Sequence, residues 1–295
     1  MHSKRIIPLA TLLCACLIVT GCGGSSVTVP ATPDGTVNAF FQSMADCKPG
    51  VIWAAMPASY QKDVNEIISI FASKMDAEIY DKGTALLSKV LGILKTKRAF
   101  LLENPMLGMM IQDKEKVEEN WDAAVDLLST LINSDLKTLD SLKKMDVGRF
   151  LNTTGSEMMN QMKDISKMMP KDDFNKEVLA TMKQVKVEVL SSTDDTAEVK
   201  IILPPETSAS TPIPETVKLV KVEGKWIPDE LARDWKQNMA EAKSQLEKET
   251  GDEMAKNKPE ILGMLAMVDG VLDQLEAAPN AEKFNEILMG LMEGF

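Results

Sequence analysis

The hydrophobic period of this chain changes twice, and those changes constrain its fold more than anything else in it. Val64, Ile67, Ile68, Phe71, Met75 and Ile79 stand at helical spacing on one stripe. Leu86, Leu87, Val90, Leu91, Ile93 and Leu94 continue a broad apolar face as far as Asn104-Pro105. Val117, Trp121, Val125, Leu128 and Ile132 form another stripe, and Val147, Leu151, Met158, Met162, Ile165 and Met169 a further one, closed by Pro170. At Val185 the period drops to two. Val185, Val187 and Val189 alternate with Lys186 and Glu188, and Ala197, Val199, Ile201 and Leu203 alternate with Glu198 and Lys200. Such alternation marks half-buried strands. Helical spacing then returns with Leu231, Trp235, Met239, Ala242 and Leu246, restarts at Pro259, and ends on Phe284, Ile287, Leu288, Leu291 and Met292.

Turn chemistry fits this division. Asp194-Asp195 separates the first two strands, Pro204 to Pro214 forms a longer loop, and Glu223-Gly224 turns the chain into Lys225-Trp226-Ile227. Val217 and Leu219 followed by Val220 and Val222 break the alternation by one residue, which predicts a bulge. The expected fold is α+β and predominantly helical, with amphipathic helices packed on one small three- or four-stranded antiparallel meander. Residues 34–183 form a helical region, 184–228 the meander and 229–295 a C-terminal helical region, with 34–295 in one compact body. Asp34 is the expected N-cap of a first helix carrying Val37, Phe40, Phe41 and Met44, interrupted at Pro49-Gly50.

Residues 1–21 read as an address and not as part of this body. Lys4 and Arg5 precede the uncharged apolar run from Ile6 to Val19, and small residues close it. The run is too short to span a bilayer, which takes about 20 apolar residues. Val19-Thr20-Gly21-Cys22 resembles the lipobox of bacterial lipoproteins. The resemblance implies cleavage before Cys22, acylation of that cysteine, and a lipid-anchored place in the cell envelope. Gly23 after the cysteine resembles lipoproteins sorted to an outer membrane. Residues 22–33, rich in Gly, Ser, Thr and Pro, form a flexible tether.

Residues 185–227 resemble the sheet of the nuclear-transport-factor-like superfamily, the α+β cone that includes SnoaL-type and lumazine-binding-like domains. Asp195-Thr196-Ala197-Glu198-Val199 and Leu219-Val220-Lys221-Val222-Glu223-Gly224-Lys225-Trp226 carry the likeness, and Asp34 to Met56 would supply the opening helices. The resemblance implies a sheet wrapped around those helices with Trp226 closing an apolar interior. The long helical stretch before the sheet and the helical region after it depart from that pattern, and no catalytic set of the family matches here.

Several chemistries are disfavoured. The chain has 44 acidic against 33 basic residues, a net charge of −11, so basic patches for nucleic acid or anionic lipid are not expected. His2 is the only histidine and leaves with the signal peptide, which removes Ser-His-Asp triads and histidine metal sites from the mature chain. With Cys22 consumed by lipid, Cys47 is the only remaining thiol and is expected to be buried. The 20 methionines include Met106-x-x-Met109, Met159-x-x-Met162, Met264-x-x-Met267 and Met289-x-x-Met292, whose thioethers could suit Cu(I) but fit core filling better. Trp53, Tyr60, Trp226 and Trp235 are the candidate lining of a ligand cleft between sheet and helices, against the alternative that they are core. The reading is a non-enzymatic module, without a cofactor, that binds a protein partner or a small apolar ligand. The alternatives are carboxylate catalysis in a cone-like pocket and methionine-based copper binding.

Overall fold

The computed structural model describes residues 29–104, 114–168, 173–204, 214–248 and 254–293. The lipobox residues, Cys22, most of the tether, the interior of the Pro204 to Pro214 loop, and Met106, Met109 and Met169 lie outside the described residues. The described chain is a predominantly helical α+β fold with a single four-stranded antiparallel sheet.

Helix α1 (Pro33–Ala45) begins earlier than expected: Thr32 is its N-cap, accepting the N–H of Gly35 at 3.3 Å, with Pro33 at the first position. Asp34 sits inside the first turn, where a negative charge favours the helix dipole. The helix stops at a Schellman motif. Lys48 N–H donates to Ser43 O at 2.8 Å, Cys47 N–H to Met44 O at 3.3 Å, and Cys47 takes a left-handed φ of 57°. Pro49-Gly50 therefore does not break α1 but opens α2 (Gly50–Ala55).

The stripe expected from Val64 to Ile79 is two helices, α3 (Ala58–Lys74) and α4 (Ala77–Thr96), because Asp76 caps the second by accepting Ile79 N–H at 3.1 Å. After the short α5 (Arg98–Leu102), α6 (Lys114–Ile132) adopts the predicted stripe. Short helices α7 (Leu139–Lys143) and α8 (Val147–Phe150) lead into a π-helical turn, Leu151–Gly155, which continues as α9 (Ser156–Met168). That turn holds an extra residue and rotates α9 by roughly 100° from the α-helical register. Met162, expected in the stripe of Leu151, is 57% exposed, while Met158 and Ile165 of the same stripe are half-buried.

Helix α10 (Asp173–Gln184) precedes the meander β1 (Lys186–Ser192), β2 (Thr196–Ile202), β3 (Thr216–Val222) and β4 (Lys225–Pro228), in spatial order β1-β2-β3-β4. One face buries Val187, Ala197, Val199, Ile201, Leu219 and Trp226 against Phe41 of α1, with Val185 from just before β1. Val189 does not join them. The bulge lies in β1, between Val189 and Ser191; Val189 itself keeps its register opposite Val199 and is 43% exposed. No register shift occurs in β3, where a bulge was expected. The broken alternation there reflects burial on both faces: Val217 and Leu219 meet α1, while Val222 packs with Ile227 under the next helix.

That helix, α11 (Asp229–Glu247), starts a C-terminal leg completed by α12 (Met254–Ala277) and α13 (Ala281–Glu293). Helix α12 includes Pro259 instead of starting there. The leg runs alongside α3, α4 and α5. Lys243 pairs with Asp63 and Glu66, Lys258 with Asp76 and Glu78, Lys89 with Asp269 and Asp273, and Asn104 donates to Asn285. Between the C-terminal leg and these helices, Leu86, Ile93, Leu272, Leu275, Ala278 and Phe284 form a second core.

Candidate functional site

Packing α1 across the apolar sheet face, with α2 beside α1, leaves one end of the interior unfilled. A cavity of about 290 Å³ lies there, walled by Val37, Phe40 and Phe41 of α1, Val51 and Ile52 of α2, Ile201, Leu219 and Trp226 of the sheet, and Leu231 of α11. No lining residue carries an ionisable group. The two polar side chains in the wall are already satisfied: Thr36 Oγ1 donates to Pro30 O at 3.0 Å, and Trp226 Nε1 to Ala31 O at 2.9 Å. An occupant would therefore find apolar contact and no unmet hydrogen bond. Phe40 and Leu231, 45% and 41% exposed, mark the open side.

The roof is held by the β3–β4 hairpin. Glu223 (φ 51°) and Gly224 (φ 77°) form its tip with both residues at positive φ, the conformation of a tight hairpin turn. Glu223 accepts the backbone N–H of Ser59 at 3.1 Å, at the start of α3, and Lys225 Nζ donates to Ala54 O at 3.0 Å, at the end of α2. Each charge matches the helix end it meets, negative at an N-terminus and positive at a C-terminus. Pro57, which precedes α3, provides no side-chain cap, so Glu223 supplies it from across the fold. Ser59 holds the Glu223 carboxyl below the ordinary glutamate range, its side chain contributing most and its backbone next.

The four aromatic candidates do not share this cavity. Trp226 lines it, with Lys221 Nζ 4.5 Å from its ring centroid. Trp53 points to α8, where Gly148 makes room for it: a Cβ there would lie 2.7 Å from Trp53 Nε1. Tyr60 and Trp235 stack on each other, with ring centroids 4.0 Å apart and planes 4° apart, in the core cluster that includes Ile227. Trp235 Nε1 donates to Asp63 Oδ2 at 2.9 Å. That bond, ahead of the Lys243 contact, lowers the Asp63 pKa, while burial, then Glu223 and Asp63, raises that of Tyr60. Trp53, Tyr60 and Trp235 are thus packing residues. Of the lining only Trp226 was expected; Phe40, Val51, Ile52 and Leu231 are among the others, and nothing in a helical stripe says which member faces a cavity.

Carboxylates line two open grooves away from the cavity, Asp126 and Glu157 beside the π turn and Asp81 and Asp140 between α4 and α7. Among the described residues, no three His, Cys, Asp or Glu side chains group as metal ligands, and no helix is long and apolar enough to cross a membrane. The methionines divide. Met56, Met75, Met145, Met182 and Met239 pack against cores, whereas Met162, Met264, Met267 and Met289 are exposed, so core filling does not account for all of them. No protein-family model, curated protein or solved structure matches the chain.

Proposed function

We propose that this protein is a bacterial envelope lipoprotein, anchored through lipid on Cys22, whose body binds a small apolar ligand between α1, α2 and the sheet without catalysing a reaction. The observation that carries the reading is the cavity, apolar on every side, free of ionisable groups and open beside Phe40 and Leu231. Small-molecule sites are concave and mostly apolar, with few polar groups. The anchor rests on Val19-Thr20-Gly21-Cys22.

The test is binding of N-phenyl-1-naphthylamine, an uncharged fluorophore that brightens in apolar surroundings, to the full-length protein. Saturable brightening that is lost in Ala55→Phe, a substitution that fills the cavity from its α2 wall, where Ala55 is a lining residue, is the expected result. Brightening unchanged by that substitution would remove the pocket from the reading. A protein partner is a second reading, favoured by the exposure of Met264, Met267 and Met289 on α12 and α13. Cross-linking in intact envelope, with adducts then mapped to these helices, tests it.

A further inference from the structure

The cavity and the tether meet. Ala31 is hydrogen-bonded to the pocket's own Trp226 and Pro30 to its Thr36, so the chain leading to the anchor leaves the body at the pocket wall. Between Cys22 and Ala31 there are nine peptide steps, a reach of at most about 31 Å at about 3.4 Å per step. That distance compares with the diameter of a small domain, about 30 Å. An anchored body attached at this point therefore keeps its pocket end within about 31 Å of the bilayer, whichever way the body turns.

What can enter is limited by the wall. Neither a charged nor a strongly polar group finds a partner inside, because Thr36 and Trp226 spend their donors on the tether end. The volume, about 290 Å³, falls just below the roughly 300–1,000 Å³ typical of ligand pockets and suits one slender apolar group. We propose that the pocket takes a single aliphatic chain of a lipid drawn from the membrane in which the protein is anchored, the headgroup staying outside beside Phe40 and Leu231. This rests on the anchored-lipoprotein reading above.

The experiment uses the full-length protein as purified from membranes, reconstituted in phosphatidylcholine vesicles containing a phosphatidylcholine with a diazirine near the end of one acyl chain. After photolysis, adducts are expected on peptides spanning residues 36–56 and 217–231. They should fall at least tenfold in Ala55→Phe, and also in Leu231→Glu, where a charge is added at an exposed position and leaves the core untouched. Adducts confined to other peptides, or undiminished in both variants, overturn the proposal. So does an absence of adducts because the protein's own Cys22-linked chain fills the pocket. Thermal unfolding of each variant reports folding separately. The mass of the N-terminal peptide from the same sample reports acylation of Cys22, which fails or holds independently. If Cys22 is unmodified, the anchor reading falls, and a water-soluble diazirine decanoic acid then asks whether the pocket takes an aliphatic chain at all. Labelling of the pocket in that arm would keep the ligand chemistry and overturn its membrane source.

Discussion

Glu223 and Ser59 are 164 residues apart in the chain, yet the Glu223 carboxylate accepts the Ser59 backbone N–H at 3.1 Å and caps α3 from the tip of a hairpin. Together with Lys225 on Ala54 O, this contact fixes the α2–α3 corner over the pocket. The Glu223 pKa is lowered in the folded protein, so its contribution to stability is present above the ordinary glutamate value of about 4.3 and is lost as pH falls through the lower folded value. Glu223→Gln should lower the thermal midpoint at pH 7, and its deficit relative to the parent should shrink as pH is brought below 4. Differential scanning calorimetry between pH 7 and 3 checks this; a deficit independent of pH would count against the capping role.

Two kinds of glycine separate under substitution. A Cβ on Gly50 would meet Asn152 Oδ1 at 2.0 Å, and one on Gly148 would meet the Trp53 ring at 2.7 Å. Asn152 is itself engaged, donating to Gly148 O at 2.8 Å, so it cannot yield freely. Gly50→Ala and Gly148→Ala should each destabilise by about 1–3 kcal/mol, the usual cost of overpacking. Gly263 and Gly270 lie inside α12 with nothing within 4 Å of a Cβ. There, alanine should stabilise by up to about 1 kcal/mol each through helix propensity. Urea unfolding of the four variants reads both signs.

These glycines show where the sequence was legible and where it was not. The periodicity of Val117 to Ile132 marks α6, and alternation marks the sheet, because both depend only on local spacing. Pro49-Gly50 looks like a helix break, but the reason for Gly50 lies in Asn152, a hundred residues later. The split at Asp76 and the π turn at Leu151–Gly155 each shift a face that spacing alone would continue. Trp226 was legible as a pocket residue. Trp53, Tyr60 and Trp235 were not separable from it, since their partners Gly148 and Asp63 come from packing between distant segments, including the C-terminal leg.

The Trp235–Asp63 hydrogen bond yields a second pH prediction. Its donor is the first cause of the lowered Asp63 pKa, so the bond strengthens the fold above the ordinary aspartate value, about 3.9, and fades as pH falls through the folded value. Trp235→Phe keeps a ring over Tyr60 but removes the N–H. It should cost at least about 1.5–3 kcal/mol at pH 7, the range for a hydrogen bond to a charged group, and flatten the acid limb of the stability curve. An acid limb identical to that of the parent would mean that the lysines, Lys243 and then Lys62, hold Asp63 without the indole.

Cys47 should behave as a packing residue and not as a reactive thiol. It is 2% exposed, its Sγ lies 3.6 Å from Met159 O on α9, and its left-handed backbone ends α1 at the corner that leads into the pocket's second helix. Reagents reach such a thiol only when the corner opens, and local opening in a structured region carries a free energy up to that of global unfolding. For a body with the usual stability of about 5 kcal/mol or more, a corner that opens only with the whole should react with a maleimide on the order of 10³-fold more slowly than the unfolded chain. Under native oxidising conditions no disulfide-linked dimer should form, while oxidation in guanidinium at about 6 M, beyond the midpoint of all but hyperstable domains, should give one. Rapid native labelling with normal unfolding thermodynamics would show that the α1 corner opens alone. The motion would then expose the pocket as well, because α2 begins at Gly50, just beyond Cys47.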